Sequence, residues 1–109
     1  MKFKVIKIGG ALLENEERLE QVCRKLAKVV PPFVIVHGGG VFAGQLAERL
    51  GVPSRMIDGR RVTDDEMLRV TVMAYAGWVN KILVARLQSL EVNACGFSGC
   101  DMNMVIAKK

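Results

Sequence analysis

VIVHGGG, residues 34–40, is the stretch whose reading decides the fold. Val34 to Val36 extend a short apolar run from Phe33 with no polar alternation, the pattern of a parallel strand covered on both faces. His37 follows, then Gly38, Gly39 and Gly40, which present backbone N–H groups with no side chain in front of them. Such a corner is either a tight turn or a strand end that hands bare backbone to a ligand. Upstream the arrangement recurs: Phe3–Ile8 (FKVIKI) reads as a strand and runs into Gly9 and Gly10.

Between the two strands lies a helix. Leu19, Val22, Cys23, Leu26, Val29 and Val30 recur at helical spacing over residues 14–30. Glu14, Glu16 and Glu17 stand in its first turn and Arg24, Lys25 and Lys28 further along, as the helix dipole prefers. Pro31 and Pro32 are expected to end it. Past the glycines, residues 41–50 form a short helix expected to bury Phe42, Leu46 and Leu50, with Gly51 as its left-handed terminator. Strand, helix, strand, helix means a parallel pair joined by a crossover, hence an α/β class. Both glycine corners then fall at the carboxyl edge of the sheet, where ligands bind in such folds.

The rest of the chain is less regular. Residues 52–62 (VPSRMIDGRRV) read as a hairpin or flap around Asp58-Gly59. Thr63, Asp64, Asp65 and Glu66 spell a capping box. It opens a helical stretch to about Leu90, with Met67, Val70, Met73, Ala74, Val79, Ile82, Leu83 and Leu87 on its apolar side. Gly77 would bend it, divide it or permit close packing, and Trp78 beside it suits a helix–helix contact. Residues 92–96 read as a third core strand, 98–103 as a polar turn, and 104–107 as the start of a further strand whose edge would need a partner. The expected domain occupies residues 1–109 and reads as the first half of a longer fold.

Composition narrows the function. Half of the 109 residues are hydrophobic and a quarter charged, as in ordinary globular domains. The formal net charge of +5 suits an anionic ligand or simply solubility. The basic residues are scattered and not interleaved with aromatic ones, which argues against nucleic acid. No apolar run approaches the roughly 20 residues of a membrane span, and Met1 leads straight into a strand, so no membrane partner and a cytoplasmic location are expected. The three cysteines, Cys23, Cys95 and Cys100, make no CxxC pair. Neither a disulfide framework nor a zinc site is expected from them.

The candidate site residues gather at the glycine corners. Lys7, just before Gly9 and Gly10, either directs its ammonium at an anion or snorkels from a strand end. The glycines offer N–H donors, and a following helix adds its N-terminal dipole. His37 is either a structural hydrogen-bonding residue or a base whose partner the sequence does not reveal. Arg60 and Arg61, in the flap, can fork a carboxylate or phosphate, or stand solvated. No GxxxxGK[ST], no GxGxxG and no metal-ligand cluster is present.

Four stretches carry a resemblance: VIKIGGALL, VIVHGGG, DGRRVT leading into TDDEMLRV, and AGWVNKILVARL running on to GFSGCDMNMVIAKK. In this order they resemble the amino acid kinase family, and within it the branch acting on N-acetyl-L-glutamate. The resemblance implies a three-layer αβα sandwich with a mainly parallel sheet, and a homodimer packed through the long helix. It implies transfer of a phosphoryl group from ATP, with Mg2+, to the side-chain carboxylate of N-acetyl-L-glutamate, on the route to arginine. By position, Lys7 would stabilise the transferring phosphoryl group and Gly9 and Gly10 would face phosphate. Gly39 and Gly40 would bind the substrate, and Arg61 would hold its α-carboxylate. Such chemistry needs positioned cations and donors more than a nucleophilic side chain. The family usually has lysine where Cys100 stands and glycine where Met102 stands. Its nucleotide-holding half is not represented in residues 1–109, so this chain alone is expected to be inactive. The alternatives are a kinase for acetylaminoadipate or a carrier-linked amino acid, and a non-catalytic ligand-binding or dimerisation module.

Overall fold

The computed structural model describes residues 2–108; Met1 and Lys109, the ends of the expected domain, lie outside them. Strands β1 (Lys4–Ile8) and β2 (Phe33–His37) pair in parallel, with Lys4 opposite Phe33 and Ile8 opposite His37. Both therefore finish at the same edge, and the Gly9-Gly10 corner stands beside Gly38–Gly40. The connection holds two helices rather than the single one expected over 14–30: α1 (Gly10–Glu14) and α2 (Glu16–Leu26). Asn15 divides them. Its backbone is extended, and its side-chain oxygen accepts the Arg18 N–H at 2.9 Å, an N-cap for α2. Helix α2 ends before the prolines, its last turn tightened by Lys28 and Val29 N–H groups on the Lys25 and Leu26 carbonyls.

Helices cover one face of the parallel pair. Ile8 packs with Leu13 of α1, with Leu19, Cys23 and Leu26 of α2, and with Val79, Leu83 and Leu87 further along the chain. The α2 stripe is thus the expected one, except that Val30 beyond it is exposed. On the other face Val5, Lys7, Val34 and Val36 are exposed, Val5 to 70%. The FVIV run is therefore covered on one side only. Continuous hydrophobicity marks what a strand can bury and does not say which faces this chain itself covers.

Helix α3 (Gly40–Leu50) ends at Gly51, left-handed at φ 68° as expected. Its deepest contacts are made by Ala43 and Ala47 against Met67, Val70 and Ala74. Phe42 and Leu46 only pack around that cluster, and Leu50 is exposed. Small side chains at the centre let two helices approach closely, which pushes the larger ones to the margin. The flap is a hairpin of β3 (Arg55–Ile57) and β4 (Arg60–Val62). Asp58 and Gly59 both have positive φ, 48° and 73°, as a two-residue hairpin loop with right-handed strand twist requires.

The long helical stretch starts one residue later than a Thr63 cap would place it. Asp64 accepts the Met67 N–H at 2.8 Å, while the Thr63 hydroxyl turns back to the Arg61 carbonyl at 3.4 Å. Helix α4 (Asp65–Val72) passes into a π-helical segment, Met73–Val79, and then into α5 (Asn80–Ser89). The wider π turn shifts the apolar stripe in phase. Met73, expected on the buried side, is accordingly exposed, whereas Ala74 and Val79 are buried. Gly77 lies inside this segment, and among the described residues a Cβ there would meet nothing within 4 Å, so no neighbour within the chain requires the glycine.

Residues 92–96 are irregular and not a strand, although Val92 and Ala94 still pack against the core. Residues 104–107 are likewise irregular and exposed. An apolar run becomes a strand only where a neighbour takes its backbone hydrogen bonds, and none of the described strands lies beside either run. Residues 98–103 form the expected polar turn, in which the Asp101 carboxylate accepts the Ser98 N–H at 2.6 Å and its hydroxyl at 2.8 Å. Among the described residues no helix is long and apolar enough to cross a membrane.

Candidate active site

Beyond the carboxyl ends of β1 and β2 lies an open concavity of about 540 Å³. Gly10 reaches it from the first corner, Gly38, Gly39 and Gly40 from the second, Met56 and Arg61 from the hairpin, and Tyr75 from the π segment. Gly40 is the first residue of α3, so unpaired N–H groups of that helix start in the wall of the concavity. The Arg61 guanidinium donates from Nη2 to the Gly40 carbonyl at 2.9 Å and from Nη1 to the Ser54 hydroxyl. A guanidinium has five N–H donors, and these contacts leave others for a ligand. Gly44, one turn along α3, lies against the guanidinium: a Cβ there would stand 3.6 Å from Arg61 Nη2, in ordinary contact.

The second corner is glycine because of what lies under it. At Gly39 a Cβ would stand 3.3 Å from the Tyr75 ring and 3.4 Å from Val79, and at Gly40 one would stand 3.3 Å from the Tyr75 hydroxyl. Gly39 itself has an extended φ of 168°, so space and not backbone strain selects it. The π turn is what carries Tyr75 and Val79 to this position.

His37 takes the structural role of the two open to it. Its Nδ1 lies 2.8 Å from the Gly38 carbonyl and its Nε2 lies 3.1 Å from Asn80 Nδ2. Asn80 is 7% exposed and is the one buried polar side chain among the described residues. Two groups have surroundings that shift their titration, both away from the concavity. Burial pushes the Cys23 thiol above its ordinary value. The Ser98 N–H and hydroxyl hold the Asp101 carboxyl below the usual carboxylate range.

Of the sequence candidates, Gly10, Gly39, Gly40 and Arg61 come together around one space. Lys7 and Gly9 do not line it. Lys7 is exposed near the end of β1, paired with Val36 on the uncovered sheet face. Arg60 is exposed on β4. Among the described residues no three His, Cys, Asp or Glu side chains converge, so the side chains present do not form a cage for Mg2+. Tyr75, Gly44 and Asn80 escaped sequence reasoning. Gly44 stands at helical spacing from Gly40 and was open to detection. Nothing in the letters signals a π turn that brings Tyr75 beneath a glycine.

A parallel pair with glycine corners, a helix N-terminus and a guanidinium around one concavity is the arrangement by which open α/β sheets hold small anions. The sequence pattern of the amino acid kinase family matches residues 2–109, and the chain belongs to that family. It is 48% identical over 108 residues to the acetylglutamate kinase of Parabacteroides distasonis, covering 99% of this chain and 42% of that protein. It is 44% identical over 107 residues to the acetylglutamate kinase of Methanopyrus kandleri, covering 98% and 41% respectively. Among solved structures, the crystal structure of smu.665 from Streptococcus mutans UA159 superposes with a TM-score of 0.63 at 32% identity, over 82% of this chain and 37% of that one. The chain thus spans about two fifths of the length of the curated relatives it matches.

Proposed function

We propose that residues 1–109 form the substrate-binding half of an enzyme that phosphorylates the side-chain carboxylate of N-acetyl-L-glutamate with ATP, in arginine biosynthesis. The observation that carries this is the convergence of Gly10, Gly39, Gly40 and Arg61 on one concavity. The relatives named acetylglutamate kinase, matched over almost the whole of this chain, supply the substrate.

In this reading the free donors of Arg61 take the α-carboxylate as a fork. Main-chain N–H groups at Gly39 and Gly40 hold the side-chain carboxylate, and that of Gly10 faces the transferring phosphate, with Gly9 leading the chain into that corner. One carboxylate oxygen attacks the γ-phosphorus, the bond from phosphorus to the β–γ bridging oxygen breaks, and ADP leaves with that electron pair. No proton is abstracted, which matches a site without a catalytic base. Lys7, exposed at the same sheet edge on a flexible four-carbon stem, swings over that edge to neutralise the phosphoryl oxygens. The nucleotide is held by chain outside residues 1–109. The enzyme is cytoplasmic, and the exposed Trp78 on the long helical stretch belongs to a homodimer contact.

Calorimetric titration with N-acetyl-L-glutamate tests this. The chain should bind it saturably, and Arg61→Ala should weaken binding by about 10- to 100-fold, the worth of hydrogen bonds to a charged group. No saturable binding, or an Arg61→Ala variant that binds as well, would overturn the assignment.

A further inference from the structure

We infer that Asn80 is a positioning residue for the glycine corner, acting through the tautomer of His37. The inference rests on the reading of that corner as a ligand site. The chemistry follows from three hydrogen bonds. Lys81 Nζ can only donate, and it lies 3.0 Å from Asn80 Oδ1, which fixes the oxygen of the amide toward the ammonium. The amide nitrogen Nδ2 must then face His37 Nε2, at 3.1 Å, and an amide nitrogen also only donates. Nε2 is therefore the acceptor, and the ring hydrogen sits on Nδ1, from which it is donated to the Gly38 carbonyl at 2.8 Å.

The relay holds the first peptide of the glycine triplet in one orientation. With the Gly38 carbonyl tied to the ring, the backbone of Gly39 and Gly40 is held where it lines the concavity. The other end is clamped as well. Lys81 Nζ also donates to the Gly96 carbonyl at 3.3 Å. A Cβ at Gly96 would collide with Asn80 Oδ1, so this segment closes directly on the amide. The irregular run 92–96 thus acts at a distance on the ligand corner: it seats Lys81, Lys81 orients the amide, and the amide chooses the tautomer.

Nitrogen-15 NMR of the imidazole in the full chain tests this without any ligand. Wild type at neutral pH should show one tautomer, protonated at Nδ1. Asn80→Ala should give a mixture and shift the Gly38, Gly39 and Gly40 amide resonances, leaving those of α4 in place. Should Asn80→Ala fail to fold, Lys81→Met serves: with the ammonium gone the amide can turn over, the tautomers mix, and Lys81→Arg restores a single one. Affinity for N-acetyl-L-glutamate should fall about ten-fold in Asn80→Ala and Lys81→Met, one hydrogen bond's worth, and return in Lys81→Arg. A wild-type ring protonated at Nε2, or variants that leave both the tautomer and the glycine amides unmoved, would overturn the inference. If the ring and amides respond as stated but wild type binds no acetylglutamate, the substrate assignment falls and the positioning role stands.

Discussion

Gly39 and Gly96 show how much of a site can rest on a missing Cβ. At neither position is the backbone left-handed; each is glycine because another side chain occupies the space, Tyr75 in the first case and Asn80 in the second. Gly96→Ala should therefore lower stability by about 1–3 kcal/mol, the usual cost of forcing an extra methyl into a filled position. Urea unfolding measures it, and an unchanged midpoint would show that the Asn80 amide moves aside freely. The glycines of HGGG were legible as bare backbone from the sequence, and so was Arg61 as a fork. Their neighbours were not, since contact between Gly39 and Tyr75 joins residues far apart in the chain. Met102 adopts φ 53°, a left-handed conformation uncommon for a residue with a side chain, and nothing in the letters signals it.

The elements divide according to whether their signals are local. Caps, stripes and two-residue turns are local, and α2, the end of α3 at Gly51 and the Asp58-Gly59 hairpin follow from them. The start of α4 is a finer case, because Thr63 and Asp64 compete for one cap. Asp64 holds the Met67 N–H, so Asp64→Ala should cost about 0.5–2 kcal/mol. Thr63→Ala should cost a few tenths at most, its 3.4 Å contact being outside the helix. Equal losses in thermal or urea unfolding would return the cap to Thr63. The π segment and the irregular run 92–96 were not legible for a different reason. A π turn depends on what the helix packs against, and a strand exists only beside another strand.

At the scale of the whole molecule, the parallel pair, the crossover and the shared glycine edge could be read from the apolar runs, the helical spacing between them and the glycines that follow, whereas the coverage of the sheet could not. One face packs on α1, α2 and α5, and the other presents Val5, Val34 and Val36 around Lys7. Contiguous apolar surface of this kind binds apolar dyes. The chain should enhance anilinonaphthalene sulfonate fluorescence, and Val34→Thr with Val36→Thr should reduce the signal without changing the helical circular dichroism. A dye signal indifferent to both changes would place the exposed apolar surface elsewhere. The same architecture puts the ligand corner at the end of that sheet, with Arg61 in its wall and Lys7 on the uncovered sheet face. The most direct measurement is an NMR titration of the nitrogen-15 labelled chain with N-acetyl-L-glutamate. The amides of Gly10, Gly39 and Gly40 and the guanidinium of Arg61 should shift together along one saturation curve. Shifts confined to other parts of the chain, or none at these four residues, would contradict the account.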